Sequence, residues 1–146
     1  MKLKRSVIKE ELVILTGSFE RALILNQFLY WTERVYDFDK MIAEENQRRL
    51  THGIEEQINL NNGWIYKSAE ELNEEIMINK SPATILKHLD VLISNGWIRK
   101  RNNPNFKWDR TYQYRVNLVK LQADLHRIGC PLDGFKKISS ALNPEK

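Results

Sequence analysis

The sequence is short of the residues that mark several classes of protein. Its 146 residues include one cysteine, Cys130, so no disulfide can form within the chain and a cytoplasmic location is expected. No apolar run approaches the roughly 20 residues that a membrane-spanning helix needs. Lys9, Glu10 and Glu11 interrupt any signal-peptide core. We therefore expect one domain without a membrane partner, large enough to bury a hydrophobic core.

The chain also lacks the patterns on which enzymes and cofactor-binding proteins depend. Neither of the common Gly-rich phosphate-binding motifs occurs. The histidines, His52, His88 and His126, have no Cys or His partner at metal-ligand spacing. The acidic residues at 37–45 lack the spacing and the Gly of a calcium loop, so capping and surface charge explain them better. No nucleophile–base pair is recognisable either. We therefore expect that the protein is not an enzyme and binds no cofactor and no metal.

The most regular pattern, at 68–96, predicts two helices separated by a tight turn. Ser68 and Glu71 have the spacing of a capping box, which begins a short helix. About four residues then lead to a second helix, as in a helix-turn-helix. Ser81 is its expected N-cap and Pro82 its first residue, where the missing N–H has no cost. Asn95-Gly96 ends it.

This second helix has a polar face opposite its apolar stripe. The stripe consists of Ile85, Leu89, Leu92 and Ile93. Short or basic side chains form the polar face and suit contacts with phosphates and base edges. They are Lys80, Ser81, Thr84, Lys87 and His88. We predict that these five residues contact DNA.

Beyond Gly96 the apolar period changes from 3.6 to 2, which indicates strands. Residues 97–101 and 111–116 are expected to form a hairpin around a turn-rich loop. The tetrapeptide Asn-Gly-Trp-Ile occurs at 62–65 and at 95–98, so we expect each Asn-Gly turn to open a strand. The first strand, 64–67, would pair with the hairpin.

The hairpin is rich in cations, and four of them are predicted to contact DNA: Arg99, Arg101, Lys107 and Arg110. Strand alternation places Arg99 and Arg101 on one face and Lys100 on the other. The alternative is that the cations only keep an exposed sheet edge soluble.

Further helices are predicted before and after the helix-turn-helix and hairpin in the sequence. Residues 19–36 are apolar nearly all round, as in a core helix that also contributes to a dimer contact. A surface helix at 37–50 extends from it, and 118–128 carries a helical stripe ended by Gly129. Residues 6–15 fit a strand or a helix, and 51–61 fit a helix that frays into a turn.

The expected fold is therefore mainly α with a small antiparallel β-sheet. It is a winged helix-turn-helix with extra N- and C-terminal helices. The domain would occupy 1–129 and a tail 130–146.

Basic residues are concentrated in the second half of the chain. Residues 1–76 contain ten Lys and Arg against fourteen Asp and Glu, a balance of −4. Residues 77–146 contain thirteen against five, a balance of +8. A solvated basic face would give the same counts. The coincidence with the helix-turn-helix pattern favours a nucleic-acid surface.

Four segments of the chain carry a family resemblance. They are LILNQFLYWTERV (23–35), GWIYKSAEEL (63–72), SPATILKHLDVL (81–92) and KWDRTYQYRVNL (107–118). Together they resemble winged-helix proteins of Gram-positive phages and mobile elements. These segments are similar to the N-terminal domains of replisome organisers and replication initiators, and at fold level to MarR-like regulators. The resemblance covers most of 16–118 and implies DNA binding, dimerisation and no catalytic residues.

The sequence thus predicts a double-stranded DNA-binding protein of phage or mobile-element type, acting in replication initiation or transcription regulation. A homodimer would reach two half-sites about one helical turn apart, and replication proteins would be further partners. The alternative is a protein–protein interaction module of a replication or transcription assembly that does not bind DNA. Its working surfaces would be the helix at 19–36 and the stripe at 118–128.

Overall fold

The computed structural model describes residues 3–104, 108 and 111–132 and combines helices with one small sheet. Within these residues the elements are α1 (Glu10–Thr16), α2 (Phe19–Thr51), β1 (Ile65–Tyr66), α3 (Ala69–Ile76), α4 (Pro82–Ser94), β2 (Ile98–Arg101), β3 (Gln113–Val116) and α5 (Leu118–Arg127). The chain is therefore mainly helical with a three-stranded antiparallel sheet, as predicted. No single helix of the described part is long and apolar enough to cross a membrane.

The core is built around the first half of α2. Ser18 caps this helix, because its hydroxyl accepts a hydrogen bond from the Arg21 N–H. Seven of its residues are buried there: Ala22, Leu23, Ile24, Leu25, Phe28, Leu29 and Thr32. Val35, which is on the same apolar face, is half-buried. The two helices expected at 19–36 and 37–50 form one helix of 33 residues, about 50 Å long. Its second half extends away from the core.

The segment after α2 differs from the prediction. Residues 51–61 do not continue as a fraying helix; α2 ends at Thr51, and 54–61 have no regular secondary structure. Polar side chains of α2 hold this segment instead. Asn46 exchanges two hydrogen bonds with the backbone of Ile58, at 2.8 and 2.9 Å. The Asp39 carboxylate accepts the N–H groups of Asn61 and Asn62, both at 2.8 Å.

The undecided stretch at 6–15 contains a helix. In α1, Leu12 is fully buried and the Thr16 hydroxyl donates to the Leu12 carbonyl. Gly17, with a φ of 74°, then allows the chain to bend by 119° into α2. α1 packs on α5, whose residues Leu121 and Leu125 are also fully buried.

The predicted pair of helices at 68–94 is confirmed in detail. Ser68 and Glu71 form the reciprocal hydrogen bonds of a capping box at the start of α3. Residues 77–81 connect α3 to α4, and the Asn73 side chain accepts the Lys80 N–H of this connection at 2.9 Å. Ser81 caps α4, and Pro82 is its first residue. The two helices pack on each other and on α2.

The sheet has the strand order β1-β3-β2, so the strand at 64–67 pairs with the hairpin as predicted. Gly63 and Gly96 have φ values of 84° and 79°, the left-handed conformation that opens β1 and β2 after each Asn-Gly pair. One face of the sheet packs on the helices through Ile65, Ile98, Tyr114 and Val116, all buried. Of the two tryptophans in the repeated motif, Trp64 is half-buried and Trp97 is buried; the Trp97 indole N–H donates to Asp124 at 2.8 Å.

The Glu75 carboxylate joins three elements of the fold. It accepts hydrogen bonds from Gln27 and Trp31 of α2, both at 2.7 Å, and forms an ion pair with Lys67 beside β1. Burial raises the pKa of this carboxyl, but the bonds from Lys67, Trp31 and Gln27 outweigh burial, so the pKa lies below its ordinary value. The charged form is therefore favoured in the folded state.

We predict that Glu75→Gln lowers the free energy of unfolding by about 2 kcal/mol at neutral pH, because hydrogen bonds to a charged group contribute about this much. A folded-state pKa below the unfolded value gives stability that is present above the unfolded pKa and is lost as the pH falls through the folded pKa. The difference between the two proteins should therefore shrink in acid. Urea unfolding followed by circular dichroism measures it.

The neighbouring residue provides the control. Glu74 also pairs with a lysine, Lys4, but its side chain is 75% exposed. Glu74→Gln should therefore change the free energy of unfolding by less than about 1 kcal/mol. Equal losses in the two variants would contradict a special role of Glu75.

Candidate nucleic-acid interface

The N-terminal half of α4 brings together four of the five helix residues predicted to contact DNA. Lys80, Ser81 and Lys87 are exposed, and Thr84 is half-buried. The Ser81 hydroxyl accepts the Thr84 N–H at 3.3 Å and lies 3.0 Å from the Thr84 hydroxyl. These residues form the helix surface, which the cap and the buried stripe of α4 hold in place.

His88 is not part of the helix surface. Its Nε2 lies 3.1 Å from a carboxylate oxygen of Glu20, at the start of α2, and its side chain is only 14% exposed. Its Nδ1 is buried and has no hydrogen-bond partner among the residues that the structure describes. The structure thus turns His88 toward α2, whereas Lys87 beside it faces solvent.

The solvent side of α4 also carries residues that the sequence prediction omitted. Ala83, Leu86 and Asp90 are exposed there, so this side contains two apolar side chains and one acidic side chain besides Lys87. Asp90 lies close enough to Tyr114 to act on its ionisation. Burial, Tyr112 and Asp90 together raise the pKa of Tyr114 to about 12.

Strand alternation divides the hairpin cations between two sides of the sheet. Lys100 follows the alternation of the buried Ile98, so it lies on the inner side, toward α4. Its ammonium group is 3.9 Å from the centre of the Tyr112 ring. Lys100 is therefore an exposed cation on the side of the hairpin that faces the helices.

Arg99 and Arg101 lie on the opposite, outer side of the sheet, as the alternation predicted. The structure does not bring them together with Lys80 or Lys87. We define the outer sheet face by the six side chains that share this side: Trp64, Tyr66, Arg99, Arg101, Gln113 and Arg115. Four of these six residues were not among the predicted contact residues: Trp64, Tyr66, Gln113 and Arg115. Only the register of all three strands reveals them.

The outer sheet face concentrates positive charge. Arg99 is directly opposite Arg115 on the neighbouring strand, an arrangement that destabilises a sheet. Arg101 donates to Gln113 at 2.7 Å, and its guanidinium lies 4.1 Å from the centre of the Trp64 ring. Burial, and then repulsion from Arg115, lower the pKa of Arg101.

Arg99, Arg101 and Arg115 of the outer sheet face have no carboxylate partner in the described ranges. Elsewhere in the chain, Arg48, Arg49 and Arg127 each have one. The hairpin tip contributes nothing to this comparison, since Lys107 and Arg110 lie outside the described residues. Also within the described part, no group of three or more His, Cys, Asp or Glu side chains is placed to hold a metal ion.

Comparison with known proteins provides no relative: no family model, no curated protein and no solved structure matches the chain. The function has to be inferred from the helix surface and the outer sheet face.

We predict that Arg99→Gln raises the free energy of unfolding at low salt by about 0.2–1 kcal/mol, because it removes one of two like charges on facing strands. Added salt screens the repulsion, so the gain should fall as ionic strength rises. Thermal unfolding across a salt series measures this. Lys87→Gln, which removes a cation without such a neighbour, should change little. A loss of stability in Arg99→Gln would contradict the prediction.

Proposed function

We propose that the chain is a winged helix-turn-helix protein that binds double-stranded DNA through the helix surface and the inner side of its hairpin. The observation that carries this proposal is the N-terminal half of α4. With the two residues before it, this half of the helix presents Lys80, Ser81, Thr84 and Lys87 on one surface, and Lys100 is exposed on the inner side of the hairpin. Helix-turn-helix proteins contact base edges with the N-terminal residues of their second helix. The short α3–α4 connection and the strand order support the same fold.

Each residue of the helix surface has a role that follows from its chemistry. Lys80 lies just before the helix and Lys100 on the hairpin, where ammonium groups can contact phosphates on either side of a groove. The amide groups in the first turn of α4 add partial positive charge toward a phosphate. Thr84 lies in this first turn and Lys87 about one turn further along, and both would contact base edges.

The family resemblance extends this proposal to a biological role. A duplex-binding winged helix of phage or mobile-element type would act in replication initiation or transcription regulation. Replication proteins would then be its partners.

The competing function is a protein–protein module without DNA binding. The surfaces expected for it are largely buried within the chain, including Phe28 of α2 and Leu121 and Leu125 of α5. Other apolar side chains are exposed on the second half of α2 and the segment after it: Met41, Leu50, Ile54 and Leu60. Met41 is the most exposed of these, and we call the surface around it the distal patch; it favours a protein contact in addition to the DNA surface.

We assign the distal patch to a homodimer contact. Two copies joined there would present two helix surfaces, as two half-sites one helical turn apart require. The sequence led us to expect a dimer contact on residues 19–36. In this proposal the contact lies on the exposed second half of α2 instead.

We predict that Lys80→Ala with Lys87→Ala weakens duplex binding and lowers the slope of log K against log salt by about two, because two phosphate or base-edge cations are lost. Fluorescence anisotropy with a labelled duplex across a salt series measures the slope. Binding of a selected duplex against a scrambled one measures any loss of preference.

The matched control removes two cations from other surfaces, by Lys9→Ala with Lys40→Ala. This variant should bind the duplex with nearly the wild-type slope. If the wild-type chain fails to bind duplex even at low salt, the protein–protein function is correct and the DNA proposal is wrong.

For the dimer, sedimentation at micromolar concentration should show a species of twice the 17.3 kDa chain mass. Met41 is 64% exposed, so Met41→Asp should shift this species to monomer without unfolding the chain. Val119→Asp, an exposed position on α5, is the control and should leave the dimer intact. A wild-type monomer would refute the dimer, and a dimer that withstands Met41→Asp would refute its location.

A further inference from the structure

We infer that the outer sheet face binds an unpaired strand of nucleic acid, at a site separate from the duplex contact on α4. This inference goes beyond the proposed function, since it uses other residues and another ligand. Three features of the face support it: phosphate-binding cations, aromatic rings for stacking, and an adjoining groove.

The cations are available to phosphates. Arg99, Arg101 and Arg115 lack a carboxylate partner among the described residues, and Arg99 faces Arg115 across the strands. Burial and, as a smaller cause, repulsion from Arg115 lower the pKa of Arg101. A polyanion that tracks across the face would relieve this repulsion and release counterions.

The aromatic rings lie on the same face as the arginines. Tyr66 is 44% exposed, and the half-buried Trp64 holds the guanidinium of Arg101 against its ring at 4.1 Å. Unpaired bases stack both on aromatic rings and on guanidinium planes. Gln113 lies between these groups; its amide oxygen accepts from Arg101, and its amide nitrogen can donate to a base.

A groove adjoins the face beside β1. It has a volume of about 390 Å³, in the range of small-ligand sites, and its walls include Arg34 and Phe38 of α2 as well as Trp64, Tyr66 and Gln113. A base turned out of a strand on the sheet would enter this groove. Arg34 would then supply a further cation at its rim.

The geometry favours an unpaired strand over the other polyanions. A duplex on the helix surface contacts the inner side of the hairpin, so it does not reach the arginines of the outer side. In any duplex the faces of the bases are stacked on each other and cannot pack on Trp64 or Tyr66. An acidic peptide would pair with the arginines but offers no planar bases to the aromatic rings.

The test measures anisotropy of a labelled oligothymidylate of about 15 nucleotides, near the upper end of known single-strand site sizes. Arg99→Gln with Arg115→Gln should lower its salt slope by about 1.4, at about 0.7 per lost phosphate contact. Tyr66→Ala should weaken binding roughly ten-fold through lost stacking. Tyr66→Phe keeps the ring and should restore the affinity. Circular dichroism confirms that each variant is folded.

Two comparisons separate this inference from the duplex proposal. Lys80→Ala with Lys87→Ala should weaken duplex binding and leave oligothymidylate binding unchanged, whereas the outer-face variants should weaken oligothymidylate binding and leave duplex binding unchanged. If the double arginine variant loses both ligands equally, the outer face is part of the duplex site and the inference is wrong. It is also wrong if the oligothymidylate does not bind at low salt, or if polyglutamate binds equally well and Tyr66→Ala has no effect.

Discussion

The packing of the sheet on α2 determines on which side of the sheet each cation of the hairpin strands lies. Phe28 of α2 packs on Tyr114 of β3, with ring centres 5.3 Å apart, and both side chains are buried. This contact fixes one face of β3 toward the helices. Because side chains alternate along a strand, Arg115 must then lie on the outer side, and the register places Arg99 and Arg101 there as well. One apolar contact thus separates the basic residues into two surfaces.

The outer sheet face is costly for the fold. Facing strands usually pair opposite charges or apolar side chains, and like charges directly opposite each other are destabilising. Arg99 and Arg115 nevertheless face each other, while the carboxylates nearby hold structure: Asp39 binds the segment after α2, and Glu75 joins α2, α3 and β1. Keeping a sheet edge soluble requires fewer cations than this. A ligand that supplies negative charge explains the arrangement better.

Patterns of residues a few positions apart were sufficient to predict the helices and strands, but not to predict which residues share a surface. The capping box at Ser68, the Ser81-Pro82 start of α4 and the paired Asn-Gly turns each depend on residues a few positions apart, and all are confirmed. The segment at 54–61 does not form the helix that its apolar residues fit. Its conformation could not be decided from the sequence, because its hydrogen bonds come from Asn46 and Asp39, which are distant in sequence. The orientation of His88 toward Glu20, 68 positions away, could not be predicted for the same reason.

The separation of the two surfaces has a mechanical consequence for the proposed function. A duplex held by α4 and an unpaired strand held by the outer sheet face would lie on opposite sides of one three-stranded sheet. The same chain could then hold a duplex and, next to it, a strand that has already been separated. Transcription regulation requires only the duplex surface, whereas replication initiation requires DNA to open beside the bound protein. Of the two roles that the family resemblance implies, the arginines and aromatic rings of the outer sheet face therefore favour replication initiation.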